Sequence, residues 1–112
     1  MARFVKGDIV VLPFPFSDFS QEKRRPALVL ASFENGDCIL SQITSQPVKD
    51  QYAVPVRDED FTEGSLRHAS NVRPNRLFTA NSEIVLYRAG RLKSEKTCEV
   101  IAHVVQILKE NP

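Results

Sequence analysis

Seven prolines, at positions 13, 15, 26, 47, 55, 74 and 112, divide this chain into short apolar runs. Each proline lacks the N–H that a ladder or helix interior needs, so regular pairing is expected to stop at or near it. The runs between them are those of short strands. "DIVVL" (8–12) is β-branched and follows Gly7, and "PFPF" (13–16) is expected to end it. "SDFSQEKR" (17–24) is polar and reads as a long loop. "PALVLAS" (26–32) is continuously apolar, as a central strand would be. Asn35-Gly36 is the strongest short hairpin signal, and "CILSQIT" (38–44) is its returning strand. "YAVPVR" (52–57) alternates around Pro55, which marks an edge or bulged strand. Residues 58–66 read as an acidic connection ending at Gly64, "SNVRP" (70–74) as a short strand and "EIVLYR" (83–88) as another.

Only the last segment changes period. Ile101, Val104, Val105 and Leu108 fall at i, i+3, i+4 and i+7, one face of a helix. Ser94 is the expected N-cap, Glu95 suits the first turn and Lys109 the last. The fold class is therefore mainly β with a C-terminal helix, and short strands at this spacing favour a small barrel or curled sheet over a sandwich. At 112 residues the chain is one domain, long enough to bury a core without crosslinks.

Net charge is only +1, but its distribution is uneven. "DEDFTE" (58–63) carries four acids and no base, "RHASNVRPNR" (67–76) three arginines and no acid, and "RAGRLKSEK" (88–96) four bases and one acid. Such segregation can build an electropositive face, or leave each run as a solvated loop. Cys38 and Cys98 lie in apolar patterns, far apart, with no CxxC or Cys/His cluster, so no metal or other cofactor is implied. Two buried thiols fit a reducing cytoplasm. The N-terminal segment lacks the apolar core of a signal peptide and no stretch reaches the length of a membrane span.

The hairpin gives "KRRPALVLA" (23–31) a chemical reading. A two-residue turn would set Val29 opposite Gln42 and Ala27 opposite Thr44, with Arg25, Ala27, Val29, Gln42 and Thr44 on one face. Arg25 would then be the diagonal neighbour of Thr44, roughly 7–8 Å away at Cα, with the small Ala27 leaving a dent between them. A guanidinium, a hydroxyl and a carboxamide converging on one patch can cradle a phosphate. Lys23 and Arg24, in or beside the loop, would add general attraction for a polyanion. Arg73, held extended by Pro74, is a second arginine able to stabilise a phosphorane-like transition state, or else a surface arginine paired with the 58–63 acids. His68 is of the residue type suited to general acid–base work near neutral pH. Phe14 and Phe16 share parity and could stack on bases, or form core or a dimer face. There is no GxxxxGK[ST] loop, which removes a P-loop nucleotide reading.

"GDIVVLPFPFSD", "KRRPALVL", "SQITS" and "NVRPNRLFT", in that order, resemble the MazF/PemK toxins of bacterial toxin–antitoxin systems. The resemblance implies an SH3-like β-barrel with a C-terminal helix, usually a homodimer in the cytoplasm. It implies a metal-free, sequence-selective endoribonuclease that acts on single-stranded RNA. The 2′-OH attacks its own phosphate to give a 2′,3′-cyclic phosphate and a 5′-OH, and a cognate antitoxin silences the enzyme. By position, the family's catalytic groups fall on Arg25, Thr44 and Arg73, and the loop that gates the groove on residues 17–24. The expected substrate-binding set around them is Lys23, Arg24, Gln42, Ser45, Phe16, Asn75 and His68. One departure stands out: some members carry an aspartate where this chain has Asn75, so the general base is left unassigned. Two alternatives remain, a gyrase-poison toxin of the same barrel class and an RNA- or protein-binding barrel without catalysis.

Overall fold

The computed structural model describes residues 3–15 and 22–112. All seven strands form one antiparallel sheet: β1 (Asp8–Pro15), β2 (Glu22–Ser32), β3 (Asp37–Thr44), β4 (Val54–Val56), β5 (Phe61–Gly64), β6 (Ser70–Asn81) and β7 (Tyr87–Leu92). Their order is β4-β6-β3-β2-β1-β7-β5, and the sheet curls into a half-barrel closed on one side by helix α1 (Ser94–Glu110). Both faces of its centre are buried, which is why β1 and β2 read as continuous apolar runs. On one face Ile9, Leu28, Leu30, Ile43 and Val72 pack with Val100 and Val104 of α1. On the other, Val10, Leu12, Phe14, Ala27, Val29 and Leu40 form a second cluster, covered by Phe4, Phe78 and Val85. Each such side chain contributes about 1.5–3 kcal/mol on burial.

Several boundaries differ from expectation. Pro13 and Pro15 do not end β1, which pairs with β2 from Ile9↔Leu28 to Pro15↔Glu22. The β1–β7 ladder stops at Val11↔Tyr87, so among the described residues both prolines stand where β1 is an edge on that side. β2 accordingly begins at Glu22, and Lys23 and Arg24 are strand residues opposite Phe14 and Pro13, not loop residues. The acidic connection contains a 3-10 turn (Asp58–Asp60) and the edge strand β5, four mostly exposed residues too few to show a hydropathy pattern. β6 runs twelve residues, not five, because Pro74 sits in a bulge and not at an end. "EIVLYR" is split: Ser82–Ile84 is a 3-10 turn capped by the Asn81 side chain, and β7 starts at Tyr87.

The helix buries Thr97, Val100 and Val104, while Val105 and Leu108 are 43% and 69% exposed. Its core face is therefore rotated from the 101/104/105/108 face expected. Ser94 is the first helical residue and Lys93 occupies the N-cap position. Cys38 is buried but Cys98 is exposed, so the two thiols are not both interior. Among the described residues no helix is long and apolar enough to cross a membrane.

Candidate functional site: a cationic cleft at the mouth of the half-barrel

The β2–β3 hairpin sets the site. Its loop has three residues, Glu34 to Gly36, with Phe33 N donating to Asp37 O and Gly36 N to Phe33 O, both at 2.9 Å. Gly36 has φ +93°, the left-handed conformation that glycine reaches without strain. A bulge between Val29 and Ala31 then shifts the ladder by one more residue. The two one-residue shifts together preserve side-chain parity, so Arg25, Ala27, Gln42 and Thr44 still share a face. Ala27 now pairs with Gln42, and extending that register sets Arg25 level with Thr44 and not diagonal to it. The dent expected at Ala27 is absent: Ala27 is fully buried in the second core cluster.

Arg25 and Thr44 line a cleft of about 730 Å³. Its floor is a row across four neighbouring strands, Ile43 on β3, Pro26 on β2, Val11 on β1 and Tyr87 on β7. Direct pairing of Val11 with both Pro26 and Tyr87 puts those three side chains on one face. Above lies the loop between β5 and β6, which contributes Ser65, Leu66, Arg67 and His68. Among the described residues five cations line the cleft, Lys23, Arg24, Arg25, Arg67 and Arg88, and no aspartate or glutamate does. A concave surface lined in this way concentrates anions. The Thr44 Oγ1 accepts the Gln46 N–H at 3.1 Å, which fixes the hydroxyl oxygen and leaves its proton to donate. Ser45 and His68 are exposed and also line the cleft.

Other expected site residues lie elsewhere. Arg73 and Asn75 occupy the β6 bulge, where residues 73–76 stand opposite Gln42 between the pairs Ser41↔Leu77 and Ile43↔Val72. Pro74 is buried within the bulge, and Ser41 Oγ donates to Arg73 O at 2.6 Å. Arg73 Nη2 meets Asp50 Oδ2 at 3.0 Å, and Asn75 Nδ2 donates to the same oxygen at 3.4 Å. Neither Arg73, Asn75 nor Gln42 is among the cleft-lining residues. The acid partner of Arg73 is thus Asp50 of the β3–β4 loop and not the 58–63 run. Burial works to raise the Asp50 carboxyl, but hydrogen bonds from Arg73 and from Tyr52 N and Ala53 N outweigh it and hold the group below the usual aspartate value. Phe14 is 7% exposed and packs edge-on against Phe78 with ring centroids 4.7 Å apart, a core role. Phe16 and residues 17–21 of the expected gating loop lie outside the described residues.

Three cleft residues escaped the sequence reading: Arg67, Tyr87 and Arg88. The signal for the two arginines was the pair of acid-poor runs, which supply one cleft cation each. Acids partly neutralise the second run, Arg88 included. The buried Asp8 accepts Arg91 Nε at 2.8 Å and Arg88 Nη1 at 3.5 Å, and Glu63 reaches Arg88 Nη1 at 3.1 Å. Among the described residues no cluster of three or more His, Cys, Asp or Glu side chains is arranged to hold a metal ion.

Fold and site together define a class: a small antiparallel half-barrel with a helix on one face and a cationic cleft. The chain belongs to the PemK-like, MazF-like toxins of type II toxin–antitoxin systems, whose family profile matches residues 5–108. The fold is that of MazF from Deinococcus radiodurans (Form I; TM-score 0.74, 20% identity, 95% of this chain and 96% of that one). It is similar to the MazE–MazF complex from the same organism (Form II; TM-score 0.77, 18% identity, 96% and 97% covered). It is also similar to a mycobacterial endoribonuclease solved with its cognate antitoxin (TM-score 0.73, 10% identity, 97% and 98% covered). A search of curated protein sequences gives no significant match.

Proposed function

We propose that this toxin is a sequence-selective endoribonuclease that cuts single-stranded RNA in the cleft by metal-free transesterification. The observation that carries the reading is the convergence of Arg25 and Thr44 in a cleft lined, among the described residues, by five cations and no carboxylate. In the reaction the 2′-OH oxygen attacks the adjacent phosphorus while the bond to the 5′ oxygen breaks, and that leaving oxygen takes up a proton from water. The products are a 2′,3′-cyclic phosphate and a 5′-OH. Arg25 offers a rigid fork of donors to the non-bridging oxygens and opposes the charge that grows on them. The Thr44 hydroxyl, its oxygen fixed by Gln46 N–H, donates to the same phosphate. Arginine is a poor base, so the 2′-OH proton goes elsewhere. His68 is the cleft residue of the type suited to accept it.

Arg73 acts in this reading as a positioning residue: through Asp50 it ties the β3–β4 loop, and with it the Thr44–Gln46 turn, to β6. Lys23, Arg24, Ser45 and Arg67 hold the strand along the cleft. The working toxin is a cytoplasmic homodimer silenced by a cognate antitoxin that covers or distorts the cleft.

Kinetics on a long RNA of mixed sequence test the assignment. Arg25→Ala and Thr44→Ala should each lower the cleavage rate by at least about 10²-fold, the usual loss when one transition-state donor is removed. Thermal midpoints should stay within a few degrees of wild type, since both side chains are partly exposed. Cleavage by Arg25→Ala at the wild-type rate would refute the site.

A further inference from the structure

The geometry points to a nucleobase-stacking platform at Tyr87, on the β7 side of the cleft, for a base of the single strand bound beside Arg25 and Thr44. The inference rests on the RNA reading above and adds a recognition site to it.

Among the described residues Tyr87 is the one Phe- or Tyr-type ring lining the cleft, and it is 54% exposed. A large ring left this open in the floor of a cationic cleft is a surface on which bases stack whatever their sequence. Its place follows from the ladder. Val11 pairs with Pro26 on one side and Tyr87 on the other, so Tyr87 lies two strand spacings from Pro26, ~10 Å. The face is shared, so the ring stands on the same floor as the proline beside Arg25. A strand whose phosphate sits at Arg25 and Thr44 can lay a neighbouring base there without leaving the cleft.

The ring is also held in place. Leu86 N donates to Val11 O at 2.8 Å immediately before it. Arg88, immediately after it, is fixed by the buried Asp8 and by Glu63. Backbone and next neighbour are tied, and only the ring is open. Tyrosine has few rotatable bonds, so it loses little entropy when a base covers it. Arg67 also lines the cleft and can add a cation–π or phosphate contact to a stacked nucleotide.

The test uses a mixed-sequence pool of fully 2′-O-methylated single strands, which lack the nucleophile and cannot be cut. The chain has two tyrosines and no tryptophan. Tyr52→Phe therefore leaves Tyr87 as the only ring of its kind, and Tyr52 makes its hydrogen bonds through its backbone. Binding should quench the tyrosine emission of that variant. Tyr87→Ala should weaken binding about tenfold, in line with the worth of one base–aromatic stack, and Tyr87→Phe should bind as wild type. Unquenched emission, an unchanged affinity for Tyr87→Ala, a change only in its oligomeric state, or no binding of the pool by wild type would overturn the platform. Quenching and tenfold weakening in a protein that leaves ordinary RNA intact would uphold the platform and sink the nuclease reading alone. Cleavage of ordinary RNA with affinity indifferent to Tyr87 would do the reverse.

Discussion

Asp50 gathers four donors: Arg73 Nη2, Asn75 Nδ2 and the backbone N–H groups of Tyr52 and Ala53. No sequence pattern marks it, because it stands in a proline-flanked loop 23 residues before the arginine it binds. Through it Asn75 and Arg73 of the β6 bulge are tied to the β3–β4 loop. The pair is partly exposed, with side chains about one-quarter accessible, so its worth is modest, about 1–2 kcal/mol for the charge-assisted bonds together. The Asp50 carboxyl is held below its ordinary value of 3.8 in the folded state, so the unfolded chain binds the proton more readily. The contribution is present above pH ~4 and is lost as pH falls through the lowered folded-state value. Asp50→Asn should therefore destabilise at pH 7 and flatten the decline in stability below pH ~4, as urea titrations across that range would reveal. Equal pH slopes for wild type and Asp50→Asn would contradict the assignment.

At the scale of elements, what decided legibility was whether burial or a local turn fixed the outcome. β1, β2 and β3 were readable because both their faces are apolar and Asn35-Gly36 marks the hairpin. β5 was not, because an exposed edge strand of four residues carries no hydropathy pattern. It is held by backbone pairing with β7, where Gly64 and Gly90 are so close that a Cβ on Gly64 would meet the Ala89 carbonyl. The β6 bulge was hidden for a different reason: a proline inside a strand reads as its end unless a partner strand is known. α1 was found by its period but assigned the wrong face, since Val105 and Leu108 are as apolar as the residues that pack. Val100→Ala should cost about 1–3 kcal/mol for the methyl groups and the void they leave. Leu108→Glu should stay within about 0.5 kcal/mol of wild type. A larger loss for Leu108→Glu than for Val100→Ala, measured by chemical denaturation, would place the packed face where the periodicity first suggested.

For the whole molecule, curling the sheet brings distant stretches to one cleft: Val11 and residues 23–26, 43–45, 65–68, 70 and 87–89. The shared face of Arg25 and Thr44 was legible because a hairpin is local, and its side-chain parity survived two compensating shifts of register. The far wall was not, because Arg67, Tyr87 and Arg88 reach the cleft only through the β1–β7 and β5–β7 pairings, which no short motif announces. The acid-poor runs foretold an electropositive face, yet only tertiary structure shows which of their arginines line the cleft and which, like Arg73, Arg88 and Arg91, carboxylates bind. The central claim, metal-free transesterification at that cleft, is tested most directly by the ends it leaves. A mixed-sequence RNA is treated with purified protein in excess chelator, and the fragments are resolved by mass. The account predicts discrete cuts bearing 2′,3′-cyclic phosphate and 5′-OH ends, undiminished by the chelator and absent with Arg25→Ala. Cuts that vanish in chelator, 5′-phosphate ends, or RNA left whole by the wild-type protein would contradict it.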